Sequence, residues 1–336
     1  MIEKATLRNY GPLSDLTVEG LRNINLIIGP NRSGKTIFLK ALYSAIRSVE
    51  LFRRGNNIES DKDILFRKLY WTFQCERIGD LVKRPAKGNL SFEMTEDDGG
   101  VFAYSFSSSA EKQIVKVTNS CRRRDTNSVF LPAKEVLSLL DTIVYDREVR
   151  QMFGFDETYY DLAKALNPGG KGKNVKVFSE MRGRLETAID GRLQYSPEKK
   201  KWIFIQGNTA FDISLTSEGT KKIAIFDTLL GNHYLNRSSV VFIDEPEAGL
   251  HPRVLVEFLE IVAELARTGL QFFIASHSYF VIKKLYLISQ SMDMSIPVIS
   301  FGGKDSNVSV SDLRDGMPDN PIIDESIKLY REEMSL

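Results

Sequence analysis

The sequence predicts an α/β fold built on a mostly parallel central sheet flanked by helices, and three observations carry that prediction. A glycine-rich loop, GPNRSGKT at residues 29–36, lies between an apolar strand pattern and a helical one. Two further apolar runs, SVVFID at 239–244 and LQFFIAS at 270–276, each precede a stretch with helical character. Buried strands that alternate with helices belong to a sheet covered on both faces. Residues 89–132 instead alternate apolar and polar side chains, which predicts a separate antiparallel region.

Taken in order, residues 2–10 (IEKATLRNY), 14–20 (SDLTVEG) and 24–29 (INLIIG) read as three strands, the third running into the glycine-rich loop. Ile37, Leu39, Ala41, Leu42, Ala45 and Ile46 fall largely on a helical period, so a helix follows over residues 36–50. NLSFEMT, VFAYSFSS, QIVKVTN and SVFLP supply the alternating strands, with EDDGG and SSSAEK as turns between them. Residues 134–192 read as helical, interrupted at 167–174 by NPGGKGKN, whose proline and glycines stop a helix. LQYSPEKKKWIFIQ at 193–206 is a hairpin. The stretch LTSEGTKKIAIF at 215–226 opens a helix in which Ser217 is the N-cap and Glu218 suits the positive end of the dipole. Ile223, Phe226, Leu229 and Leu230 give that helix its apolar stripe, and Gly231 ends it. Helices from about residue 253 and over 278–289, a strand at 296–301 and a short amphipathic helix in the tail at 321–336 complete the reading.

A chain of 336 residues is long enough for one large domain or two closely joined ones. No apolar run approaches the roughly 20 residues that span a bilayer, so a membrane-embedded protein is not expected. The first residues lack the charged lead and apolar core of a signal peptide, which makes the cytoplasm the expected compartment. Two cysteines, Cys75 and Cys121, read as free thiols rather than as a bridge or a metal site. The net charge of +1 neither demands nor excludes nucleic acid, which leaves local runs to argue for it. Three such runs exist, CRRR at 121–124, KGK at 171–173 and KKK at 199–201, and runs of this kind are more often solvated faces.

The glycine-rich loop fits the pattern G-x-x-x-x-G-K-[ST], formed by Gly29, Pro30, Asn31, Arg32, Ser33, Gly34, Lys35 and Thr36. In the strand, loop, helix context, its main-chain N–H groups can wrap phosphate oxygens, Lys35 can reach the β- and γ-phosphates, and the Thr36 hydroxyl can hold magnesium. The second apolar strand ends in Asp244 and Glu245, at the rim where α/β folds bind ligands. Asp244 is expected to hold magnesium through water, and Glu245 to polarise an attacking water. His277, after the next strand, is placed to donate a hydrogen bond to a phosphate or to that water. The exposed start of the helix at Ser217 offers free amides and a hydroxyl to an anion.

Together the phosphate loop, the SEG helix start, the carboxylate pair, the EAGLH turn and the following histidine resemble the ABC-type ATPase superfamily. The opening I…L.NYGPL…INLIIGPNRSGKT, DEPEAGLHP and ASHSYF are similar to its RecF, SMC and OLD-type branch rather than to transporter subunits. VFLPAKEVLSL, FDETYYDLAKAL and the tail resemble stand-alone prokaryotic ATPases of that branch, some of them associated with defence. The resemblance implies a single ATPase head over residues 1–336. Its parts would be an N-terminal lobe at 1–132, an inserted, mainly helical region at 133–214, and a C-terminal part at 215–336 with the signature helix. It also implies a head-to-tail homodimer or higher even oligomer, with ATP and Mg²⁺ between the phosphate loop of one subunit and Ser217 and the Gly219 amide of the other. Glu245 would be the catalytic base, His277 the switch histidine, and Gln74 the glutamine that senses magnesium and water. Glu218 and Thr220 depart from the usual signature residues, and no long heptad arm is present. The expected role is control of a separate effector, such as a nuclease in anti-phage defence. The alternative is a RecF-like ATPase that binds DNA directly.

Overall fold

The computed structural model describes residues 1–85, 88–166, 176–199, 201–302 and 308–335. The first three strands form as predicted: β1 (Ile2–Tyr10), β2 (Leu13–Val18) and β3 (Ile24–Ile28), the last buried along its whole length. The glycine-rich loop leads into α1 (Lys35–Leu51). α2 (Asp61–Phe73) forms where sequence patterning assigns no element, and Ser60 caps it by accepting the Asp63 N–H. β4 (Leu90–Glu96), β5 (Val101–Phe106) and β6 (Lys116–Asn119) follow, then β7 (Val129–Leu131). The helical region holds α3 (Leu140–Tyr145), which runs on into a π-helical turn at Asp146–Arg150, then α4 (Glu157–Ala165) and α5 (Lys176–Ala188). The predicted break at 167–174 lies outside the described residues.

The hairpin gains a third strand, so that β8 (Arg192–Ser196), β9 (Lys201–Gln206) and β10 (Thr209–Asp212) form a small antiparallel sheet. α6 (Glu218–Gly231) carries the predicted Ser217 cap and leads to β11 (Val240–Asp244). α7 (Pro252–Arg267) begins with proline at its first position, where the missing N–H costs nothing. β12 (Gln271–Ser276), α8 (Tyr279–Met292), β13 (Pro297–Ser300), β14 (Ser309–Asp312) and α9 (Pro321–Glu333) complete the chain.

Three sheets result. The first is antiparallel, with order β2-β1-β4-β5-β6, and the central one has order β14-β13-β3-β12-β11-β7. In the central sheet β13, β3, β12, β11 and β7 run parallel, and only β14 is reversed. Sequence patterning places SVFLP with the antiparallel strands, whereas β7 pairs in parallel with β11, Val241 opposite Val129. All three β7 residues are buried, and a strand buried on both faces suits a parallel sheet.

The central sheet separates two cores. Val241, Ile243, Phe272 and Ile274 face one that includes residues of α4 to α8, while Phe130, Phe242 and Phe273 face the other, with α1 and the antiparallel sheet. Phe130, Phe242 and Phe273 stack across β7, β11 and β12 with centroids 6.2 and 5.2 Å apart. Tyr43 of α1 sets its ring edge on Phe130 and Phe242, each at 5.7 Å. The face of α1 that carries Tyr43 is also polar. Lys40 bonds Asp156 at 2.7 Å, the Tyr43 hydroxyl donates to Asp161 at 2.6 Å, and Arg47 lies 3.7 Å from the same carboxylate. Lys68 of α2, 2% exposed, adds bonds of 2.7 Å to both Glu157 and Asp161. The acidic residues of FDETYYDLAKAL therefore fasten α4 to the helix that follows the phosphate loop. Among the described residues, no helix is long and apolar enough to cross a membrane.

Candidate nucleotide site

The phosphate loop is shaped by its two end glycines. Gly29 has φ 146°, and a Cβ there would fall 2.6 Å from the Phe301 carbonyl oxygen. Gly34 has φ 105°, and a Cβ there would fall 2.7 Å from Leu13 Cδ2. Only glycine suits both places, because each combines a left-sided φ with a close neighbour. Pro30, Asn31 and Arg32 are exposed, and Arg32 has φ 66°. The Ser33 hydroxyl is buried with no partner. Lys35 folds back so that its ammonium donates to the carbonyls of Gly29 at 2.7 Å and Pro30 at 2.9 Å. Burial pushes the Lys35 ammonium pKa down, against the pull of Asp244, Glu245 and Glu247. The first N–H groups of α1 have no partner within the helix and point out at its positive end.

Parallel pairing brings the other predicted groups to the same end of the sheet. β12 lies between β3 and β11, so the loops after these three strands emerge side by side. The Thr36 hydroxyl donates to Asp244 Oδ2 at 2.9 Å, which joins the phosphate loop to the carboxylate strand. Burial pushes the Asp244 carboxyl pKa up, while the Thr36 hydrogen bond acts in the opposite sense. Glu245 holds the left-handed φ of 50°, with its N–H bonded to the Ala275 carbonyl at 2.9 Å. His277 Nδ1 sits 3.3 Å from Glu245 Oε1. Lys35, Thr36, Asp244, Glu245 and His277 are thus gathered into one cluster.

Glu247, two residues on from Glu245, is part of this cluster and was not singled out from sequence. It accepts from the Ser276 hydroxyl at 2.8 Å and from the His277 N–H at 3.3 Å, while its Oε2 is buried without a partner. The second acid in DEPE was the available signal, but its role depends on β12 lying alongside.

The start of α6 makes its contacts elsewhere. Ser217 is exposed, and its hydroxyl accepts from the Thr220 N–H at 3.2 Å and meets the Thr220 hydroxyl at 2.8 Å. Gly219 is buried against the EAGLH turn, where a Cβ would fall 2.2 Å from the Gly249 carbonyl oxygen. Gln74 ends α2 with φ 50°, and its Nε2 is buried without a partner. Among the described residues, no hydrogen bond joins Gln74 or Ser217 to Thr36, Asp244 or Glu245.

The residues present fit a nucleotide and a hard cation. The Thr36 hydroxyl and Asp244 carboxylate are the oxygen donors that magnesium takes, usually with substrate phosphates in place of a full protein cage. Among the described residues no group of three or more His, Cys, Asp or Glu is arranged to hold a metal.

A family model described as "AAA domain, putative AbiEii toxin, Type IV TA system" matches residues 24–283. The chain belongs to this family. This AAA-domain chain is also similar to solved SMC heads. One is the SmcHead bound to the C-winged helix domain of ScpA, at 13% identity and TM-score 0.56, covering 93% of this chain and 97% of that one. A second is the Smc head domain with an extended coiled coil bound to the C-terminal domain of ScpA derived from Pyrococcus furiosus. It is 12% identical with TM-score 0.50, over 99% of each chain. No curated protein matches the AAA-domain chain. By family it is an AAA-domain chain, and its fold is that of the SMC heads, in line with the motif resemblance.

Proposed function

We propose that the cluster binds ATP with magnesium and hydrolyses it, and that two copies close head to tail over the nucleotide to control a separate effector. The observation that carries the reading is the 2.9 Å bond from Thr36 to Asp244, beside a Glu245 to His277 contact of 3.3 Å. Phosphoryl transfer needs positioned oxygen donors and a water-orienting base, and these four side chains supply that set. Lys35 exchanges its two loop carbonyls for phosphate oxygens. Thr36 and Asp244 would hold the cation, and Glu245 would orient the attacking water and accept its proton. His277 donates a hydrogen bond towards the transferred phosphate, and Gln74 turns its free amide to the same water. Magnesium, when bound, neutralises charge on the phosphate oxygens.

The exposed Ser217 and the amides near Gly219 supply the second wall of the partner's site. This arrangement rests on the family resemblance and on a helix start bonded to no part of its own phosphate loop among the described residues. The whole chain acts as one head. The effector is a nuclease in an anti-phage system, and the family's description, with its toxin and TA system, is compatible with a partner of that kind.

Direct DNA binding is the weaker reading. Arg122, Arg123 and Arg124 are each paired with a carboxylate, Asp98, Asp125 and Glu96, at 3.1, 2.9 and 2.6 Å. Lys201 pairs with Asp212, and the KGK run lies outside the described residues.

The test is ATP turnover. Lys35→Ala should lose nucleotide binding, and Glu245→Gln should bind ATP but turn over about 100-fold or more slowly. A Ser217→Arg chain mixed with a Lys35→Ala chain, each inactive alone, should recover activity through one intact composite site. Full turnover in both Lys35→Ala and Glu245→Gln refutes the ATPase assignment, and no recovery in properly folded mixed dimers refutes the head-to-tail arrangement.

A further inference from the structure

Lys222 lies on α6, one turn into the signature helix, and only 5% of it is exposed. Its ammonium donates a 2.9 Å hydrogen bond to the main-chain carbonyl of Glu245. Glu245 is held at φ 50°, a conformation that an L residue other than glycine keeps only where its surroundings enforce it. The enforcing contacts are few. The Glu245 N–H is bonded to Ala275 at 2.9 Å, and its carbonyl accepts the Ala248 N–H at 3.1 Å as well as the Lys222 ammonium. Burial pushes the Lys222 ammonium pKa down, while the carboxylates of Glu247, Glu245 and Asp244 act in the opposite sense. The adjacent Lys221, also 5% exposed, turns elsewhere, to the Ser138 hydroxyl at 2.9 Å and Glu135 at 3.4 Å.

We infer that Lys222 is a positioning residue: its ammonium pins the Glu245 peptide, aims that carboxylate at His277, and ties its orientation to the placement of the signature helix. The inference rests on the proposed ATPase reading and deepens it. The helix that meets the partner's nucleotide is, in its own chain, bonded to the peptide of the hydrolytic base. A shift of α6 on dimer closure would therefore be felt at Glu245 without any contact between Lys222 and nucleotide.

Steady-state turnover and the affinity of a fluorescent ATP analogue decide the matter in the full-length protein, with melting curves to establish folding. Lys222→Met keeps the bulk and removes the donor, and Lys222→Gln keeps a neutral donor. The Met chain should lose about 10- to 100-fold in kcat, as small misplacements of catalytic groups do, with KM and analogue Kd within about threefold. The Gln chain should recover most of that loss. Wild-type turnover matched within about twofold by Lys222→Met overturns the assignment, as does a loss that appears only as weaker nucleotide binding or that glutamine does not recover. Should the Met chain not fold, the Gln chain decides alone. A kcat of about half the wild-type value or more supports the assignment, and less than that in a folded protein overturns it. A wild-type chain without turnover overturns the ATPase reading, and this assignment with it.

Discussion

Replacing Gly219 by alanine tests the packing between α6 and the turn that follows the carboxylate strand. The added Cβ would fall 2.2 Å from the Gly249 carbonyl oxygen, 2.8 Å from its carbon and 2.9 Å from Leu250 Cδ2. Ordinary carbon contacts need roughly 3.5 Å, so more than about 1 Å of separation is missing. The leucine end can rotate away, but the Gly249 carbonyl is backbone in a turn fixed by bonds from Ala248 to Glu245 and from Leu250 to Glu247, each 3.1 Å. Either α6 or the turn must move. Overpacking of this kind costs about 1–3 kcal/mol. At about 2.1 cal/mol/K of unfolding entropy per residue, a chain this long loses roughly 1.5 °C of Tm per kcal/mol, so a drop of about 1.5–4.5 °C is expected. Hydrolysis should fall by about 10- to 100-fold, because the displaced turn begins at Glu245. ATP binding should be retained, since the phosphate loop follows a different strand. The control is Gly183→Ala in α5, where a Cβ meets nothing within 4 Å and helix propensity favours alanine by up to about 1 kcal/mol. Melting curves and turnover on both variants suffice. A Gly219→Ala chain that melts and hydrolyses like the wild type would show that this contact does not position Glu245.

Two further outcomes follow from buried groups. Lys68→Met leaves Glu157 with Arg147, and Asp161 with Arg47 and the Tyr43 hydroxyl, in a buried setting, and should cost about 3–5 kcal/mol in denaturant unfolding. Burial pushes the Cys75 thiol up to about 11 and the Cys121 thiol up to about 12. Both should resist alkylation at neutral pH in the folded protein and react promptly after unfolding. Since folding raises these thiol pKa values, their contribution to stability is intact below about pH 9 and is lost as pH climbs through about 11 and 12. Urea midpoints should therefore stay level up to about pH 9 and fall between about pH 9 and 11.

Much of the site was legible in sequence because its residues sit at strand ends, where order along the chain and position in space coincide. GPNRSGKT, Asp244 with Glu245, and His277 each follow an apolar strand, and parallel pairing brings them together. The same logic misplaced β7. Three apolar residues are too short to show a period, and the full burial that marks a parallel strand emerges only when β11 lies beside it. α2 was overlooked although Ser60 and Asp63 form its cap, because its apolar positions Ile64, Leu65 and Leu69 are interleaved with charged and aromatic residues. β10 and β14 are short, half-exposed edge strands with little pattern to read. Glu247 and Lys222 carry little sequence signal for a different reason. Each acts on a neighbour from another element, and a glutamate or lysine in isolation is usually a solvated residue.

The central sheet closes at one edge with the three residues of β7 and at the other with the four of β14. Such short margins offer a second chain almost no ladder of free N–H and C=O groups to extend. A central sheet running continuously from one copy into the next is thus disfavoured. Self-association through helices and loops remains open, and contacts of that kind can part again without tearing a sheet.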